Sequence, residues 1–196
     1  MRIQSLIFFS HFVPNLTIGA IVVKALRKYT DAYLDCHLMV SCPDFWIKSF
    51  RDAGASQFTF HIEAVKKEQV ADICEAIRHA KMHVGISLKP ATPVSEIAEY
   101  VRAGLVDTVL VMSVEPGFGG QAFMPEVIPK ISELRAISKT VNISVDGGIS
   151  PQNSALVAAA GANVLVAGSS IFGAEDPTTA IKQLRQSLEE NIAARQ

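Results

Sequence analysis

Residues 112–120 read Met-Ser-Val-Glu-Pro-Gly-Phe-Gly-Gly, and Asp146-Gly147-Gly148 closes the next apolar run. That pairing sets a carboxylate and two glycine-rich turns at one end of consecutive strands, where α/β proteins build phosphate and catalytic sites. A third turn, Gly168-Ser169-Ser170, follows the last apolar run. Gly117, Phe118, Gly119, Gly120, Gly147, Gly148, Gly168 and Ser169 are therefore expected to line a phosphate or substrate cradle, with glycine letting backbone N–H groups approach an anion closely. His37 lies in an earlier apolar run. Imidazole and carboxylate both suit a divalent ion, so His37 and Asp146 are candidate metal ligands, although two donors on distant strands are not by themselves a metal motif.

These residues need elements to position them. Apolar, β-branched runs occur at 33–40, 57–64, 83–90, 107–114, 141–146 and 163–168, after a weaker strand at 2–9. Amphipathic stretches at 68–80, 94–103, 126–137, 152–159 and 178–194 carry apolar residues at helical spacing. Ser41 before Pro43, Ser150 before Pro151 and Asp176 before Pro177 mark expected helix starts. Repeated βα punctuation of this kind predicts a (β/α)8 barrel forming one domain over residues 1–196. A doubly wound sheet fits less well, because no GxGxxG follows the first strand. The chain is short for a barrel, which typically takes about 250 residues.

Strand alternation then groups side chains. Tyr33, Asp35, His37 and Met39 share one face, as do Thr59, His61 and Glu63, Ser87 and Lys89, and Asn142, Ser144 and Asp146. Phe58, Phe60 and Ile62 take the opposite face and should meet helices. Ionisable groups gathered on one inner face are costly to bury unless they pair, bind a ligand or do chemistry. His61 and Glu63 are expected to complete a buried hydrogen-bond network, and Met39 and Met112 to pack in the core or along a pocket wall.

Composition narrows the partner. The 196 residues are 49% hydrophobic, with 18 basic against 19 acidic side chains and a formal net charge of −1. Such a chain has no field for nucleic acid or an anionic membrane, so a small molecule is the expected partner. Cys36, Cys42 and Cys74 are odd in number and lack CxxC spacing, which fits a reducing, cytoplasmic setting. The apolar stretch near the start is too short for a secretory signal, and no run reaches the ~20 apolar residues of a membrane span.

From His11 to the C-terminus the sequence resembles ribulose-phosphate 3-epimerase. The resemblance rests on His11-Phe12-Val13-Pro14-Asn15, Asp35-Cys36-His37-Leu38-Met39-Val40, His61-Ile62-Glu63-Ala64, Met112 through Gln121, Asp146-Gly147-Gly148 and Gly168-Ser169. It implies a ribulose-phosphate-binding (β/α)8 barrel that interconverts ribulose 5-phosphate and xylulose 5-phosphate in the pentose phosphate pathway. It further implies one divalent ion (Zn, Fe, Mn or Co), two carboxylates that work on opposite faces of C3, and a contact of His37 with substrate. Asp146 matches one of those carboxylates and a metal ligand; His37 matches another ligand. The family's His-x-Asp pair falls on Gln4 and Leu6, and its following Asp-Gly on Phe9-Ser10. The resemblance thus implies an altered or truncated amino terminus over residues 1–10 that lacks the second acid/base. A relative without turnover, which binds sugar phosphate or pairs with an intact subunit, is the alternative expectation. Apolar surface left by barrel helices would support homo-oligomers.

Overall fold

Each apolar run becomes a strand and most amphipathic stretches become helices. The computed structural model describes residues 2–8 and 18–194, with side chains described from residue 18 onward. Strands β1 (Arg2–Phe8), β2 (Tyr33–Met39), β3 (Gln57–His61), β4 (His83–Leu88), β5 (Thr108–Met112), β6 (Asn142–Asp146) and β7 (Val164–Val166) alternate with helices. These are α1 (Ala20–Arg27), α2 (Ile47–Ala53), α3 (Val70–His79), α4 (Ala98–Arg102), α5 (Ile128–Ile137), α6 (Ser154–Ala160), α7 (Ser169–Phe172) and α8 (Pro177–Ala193). The fold is of the (β/α)8 barrel type. Two compact units divide the chain: Met1–Ser87 with Glu99–Thr108, and Leu88–Ala98 with Val109–Gln196.

In the first unit β1, β2, β3 and β4 pair in parallel and in sequence order. The register sets Gln4 opposite Asp35 and Leu6 opposite His37. Phe9-Ser10 and the His11-to-Asn15 motif lie outside the described residues. Helix α3 shows why these segments are helical: Val70, Ile73, Cys74 and Ile77 recur at i, i+3, i+4 and i+7 and are the buried ones. Phe50 of α2 meets Phe58 of β3 edge-on, with ring centroids 5.9 Å apart, so the Phe58 face does bed the helices. On the other face a polar ladder runs inward. Tyr33 and Thr108 hydroxyls donate to Gln57 Oε1 (3.1 and 2.8 Å), Gln57 Nε2 donates to Thr59 Oγ1 (3.0 Å), and Thr59 donates to Asp35 Oδ1 (3.1 Å). Burying these groups is tolerable because each has a partner.

The second unit holds the β6–β7 parallel ladder and, beside it, β5, whose following Ser113 N–H donates to the Asp146 carbonyl at 2.8 Å. Of the three expected helix starts, Asp176 caps as anticipated, accepting from Thr178 N–H at 2.9 Å. Ser41 and Ser150 do not. Pro43 leads into a single 3-10 turn, Asp44–Trp46, and Ser150 is itself held by Asn153, whose Oδ1 accepts the Ser150 N–H at 2.9 Å. The thiols of Cys36 and Cys74 are buried, and burial pushes them up to about 12 and about 11, so neither is a thiolate near neutral pH. Cys42 is exposed. Among the described residues no helix is long and apolar enough to cross a membrane.

One device recurs three times. Arg27 Nε donates to Gly54 O (2.9 Å), Arg78 Nη2 to Gly104 O (3.2 Å) and Arg135 Nε to Gly161 O (3.0 Å), over 27, 26 and 26 residues. Each arginine sits near the end of one helix, and each glycine follows the next helix. A polar residue just beyond that glycine ties the strands together: Leu34 N–H donates to Ser56 Oγ (3.1 Å), Val84 N–H to Asp107 Oδ2 (2.8 Å) and Ile143 N–H to Asn163 Oδ1 (2.7 Å). Gly161 has φ +130, and a Cβ there would stand 2.7 Å from Arg135 Cβ, so the arginine needs a glycine to pass. Arg135 also serves the carbonyls of Ser138, Lys139 and Val141. Substituting it with methionine strands several carbonyls, and urea unfolding is expected to record a loss of roughly 2 to 4 kcal/mol. A change within about half a kcal/mol would show that water replaces the guanidinium freely.

Candidate functional site

The polar face of the first unit ends in two histidines. His37 on β2 and His61 on β3 are both fully buried, their Nε2 atoms 2.9 Å apart and their rings stacked at 4.9 Å with 27° between planes. His61 Nδ1 lies 3.1 Å from Glu63 Oε2. Burial, and secondarily the neighbouring His61, hold His37 well below the usual imidazole range, so it is neutral at physiological pH. Ser87 faces His61 in register on β4, and among the described residues its buried Oγ has no hydrogen-bond partner. The face expected from alternation is the one observed. Asp35 is held below it by Thr59, as its position two residues deeper on the strand required.

In the second unit the strands deliver Asp146 at the end of β6, 9% exposed. The turn after it is locked from three sides. Ser113 Oγ donates to Gly147 O (2.7 Å) and Asp146 O (3.0 Å), and Asn153 Nδ2 donates to Gly148 O (2.9 Å). Gly148 has φ +62, and a Cβ on it would come 2.5 Å from Phe123 N and 2.9 Å from Gln121 O. Only glycine satisfies both the conformation and the space. The preceding turn is closed by Gln121, whose Nε2 donates to Glu115 O (2.7 Å) and Phe118 O (2.9 Å). Phe118 is 60% exposed, and the space over Gly119, Gly120 and Gly168 is open to 4 Å, so these backbones face outward with room for a ligand. Ser169 begins α7, and Ser170 Oγ donates to Ile149 O at 2.6 Å. Met39 and Met112, each 2% exposed, are core residues rather than pocket wall.

All the candidate residues from His37 to Ser169 lie at strand ends or in the turns beyond them, with His37 in the first unit and the others in the second. Ser113 and Gln121 stand inside the Met112-to-Gln121 motif but their bracing roles, like that of Asn153, were not legible there, because a side chain that anchors a distant backbone carbonyl leaves no periodic trace.

The sequence pattern described as the Ribulose-phosphate 3 epimerase family matches residues 6–172. The chain belongs to that family. It is 52% identical over 180 residues to the cytoplasmic isoform of ribulose-phosphate 3-epimerase from Oryza sativa subsp. japonica, covering 91% of this chain and 78% of that one. It is 50% identical over 182 residues to ribulose-phosphate 3-epimerase from Schizosaccharomyces pombe, with the same coverage of 91% and 78%. Among solved structures, 3-hexulose-6-phosphate synthase from Salmonella typhimurium superposes with a TM-score of 0.70 at 20% identity, over 95% of this chain and 87% of that one. That likeness is one of fold.

The divalent ion that the resemblance implies finds a short donor set. Among the described residues no three His, Cys, Asp or Glu side chains are grouped to hold a metal. His37 Nε2 is engaged with His61, and the positions in line with Asp35 and His37 on β1 are Gln4 and Leu6, the second of which has no donor atom. Zinc-type centres use three or four protein ligands. The residues described do not make a complete centre.

Proposed function

We propose that this chain, as one barrel domain over residues 1–196, acts on D-ribulose 5-phosphate and interconverts it with D-xylulose 5-phosphate, the reaction that the resemblance implies; relatives named ribulose-phosphate 3-epimerase support this reading. The observation that carries this reading is the Asp146-Gly147-Gly148 turn, pinned by Ser113 and Asn153 and wedged against Phe123. Such bracing holds a carboxylate within the tight tolerance that proton transfer needs. Asp146 takes the proton from C3, the C–H electron pair moves toward C2, and the C2 carbonyl becomes an enediolate. Water protonates C3 from the opposite face to give the epimer, and Asp146 releases the proton it took to the hydroxide so formed. The turns Gly117–Gly120, Gly147-Gly148 and Gly168-Ser169 would grip the phosphate through backbone N–H groups, and the resemblance adds a substrate contact from neutral His37. A resident divalent ion would stabilise the enediolate oxygen. Because the donor set among the described residues is short, no step here depends on it, and Gln4 and Leu6 supply no second carboxylate. The setting is cytoplasmic, and exposed Ile21, Phe45, Leu156 and Phe172 offer apolar surface for self-association.

A second reading is favoured by one observation, Leu6 in register with His37. It is a protein that binds pentose phosphate without turning it over, alone or beside an intact subunit. The deciding experiment follows xylulose 5-phosphate formation by the purified chain and, in parallel, its melting temperature with and without ribulose 5-phosphate. Turnover establishes the first reading; stabilisation without turnover establishes the second; neither response sinks both. The short donor set carries its own expectation. After dialysis in metal-free buffer the chain should retain well under one equivalent of zinc, iron, manganese or cobalt by elemental mass spectrometry, and one tightly held equivalent would refute the incomplete centre.

A further inference from the structure

We infer that Ser170 is a positioning residue for Asp146: it ties the Gly168-Ser169 turn, which takes the phosphate, to the turn that carries the carboxylate, so that filling the first steadies the second. The inference rests on the sugar-phosphate reading above, and all its parts lie in the second unit. From Asp146 to Ile149 every backbone carbonyl is taken by a side chain. Ser113 holds those of Asp146 and Gly147, Asn153 holds that of Gly148, and Ser170 Oγ donates to that of Ile149 at 2.6 Å. Ser113 stands just after β5 and Asn153 just ahead of α6, whereas Ser170 is carried by the turn after β7. Its anchorage is stiff. Ile171 and Phe172 N–H both donate to Gly168 O (2.9 Å each) and Gly173 N–H donates to Ser169 O (2.9 Å), so residues 168–170 move as one hydrogen-bonded turn. At the other end Ile149 is 3% exposed, and Gly148 before it is wedged against Phe123 and Gln121. A displacement of the 168–170 turn therefore passes through one short bond into backbone close to Asp146. Phosphate gripped by that turn fixes it, and the unreacting end of the substrate thereby orders the carboxylate at its carbon-acid end. Binding energy used in this way raises kcat.

The test compares Ser170→Ala and Ser170→Thr with the native full-length chain. For ribulose 5-phosphate, Ser170→Ala is expected to lower kcat about tenfold while KM stays within about twofold. The melting temperature should fall by only about 2 to 4 °C, and Ser170→Thr, which keeps the hydroxyl, should restore kcat. A KM that rises with kcat unchanged, or equal kinetics in all three proteins, overturns the inference and leaves the reaction standing. Inorganic phosphate is the second probe and needs no turnover. In proton–nitrogen spectra at fixed pH it should move the Gly168, Ser169 and Asp146 amide signals of the native chain along one saturation curve. In Ser170→Ala it should move those of Gly168 and Ser169 but not that of Asp146. An Asp146 signal that moves alike in both proteins overturns the coupling, as does a native chain whose Gly168 and Ser169 signals ignore phosphate. Should the coupling appear in a chain that leaves ribulose 5-phosphate unchanged, the proposed reaction falls and Ser170 keeps its role as the link between the two turns.

Discussion

Asp146→Asn is expected to lower kcat for ribulose 5-phosphate by roughly two to four orders of magnitude while leaving substrate-induced stabilisation intact. Asparagine keeps the size of the side chain and can still accept a hydrogen bond, so the turn fixed by Ser113 and Asn153 should not move. What disappears is the carboxylate able to take a proton from carbon near neutral pH. Stopped-time assays of xylulose 5-phosphate, with the melting temperature as a check on folding, give the answer. Equal activity in the two proteins would remove Asp146 from the chemistry and leave the proposed reaction without its principal acid/base.

Gly148→Ala should be the most damaging single methyl in the site. Its Cβ would fall 2.5 Å from one backbone atom, Phe123 N, and 2.9 Å from another, Gln121 O, and neither is the end of a flexible side chain. The positive φ adds about 1 kcal/mol for any residue with a Cβ, and displacing two backbone segments adds a further ~2 kcal/mol or more. A loss near 3 kcal/mol lowers Tm by roughly 6 to 12 °C in a chain of this size. Activity should fall further than stability explains, because the displaced turn carries Asp146 with it. A variant that melts like the parent would mean that the loop 121–123 yields readily.

Much of this was legible in the order of residues. The strands β2 to β7 lie within the apolar runs because six β-branched segments separated by helical periods admit few arrangements. The polar face of His37, His61 and Ser87 followed from two-residue alternation alone, and the glycine turns from composition. Other features left no such signal. Ser150 looked like a helix cap, yet its N–H is taken by Asn153 and the helix starts only at Ser154, while the amide nitrogen of Asn153 is committed to the Gly148 carbonyl. His61 and Glu63 read as a generic buried network; only the 2.9 and 3.1 Å contacts show that it runs from His37 through His61 to Glu63. Lys130 of α5 carries no such mark either, yet its Nζ donates to the carbonyls of Lys89, Pro90 and Thr92 beyond β4, a partnership set by tertiary packing.

The arginine-to-glycine links have a consequence for how such chains can be recombined. Arg27–Gly54, Arg78–Gly104 and Arg135–Gly161 each join the end of one βα unit to the end of the next, and the three spans do not overlap along the chain. The natural building block is therefore a pair of units. Chimeras with relatives that cross over between these spans, from β3 to the middle of α3 or from β5 to the middle of α5, would inherit every guanidinium with its own carbonyl. Crossovers inside a span, such as those just before β2, β4 or β6, would part them and should yield far fewer folded hybrids.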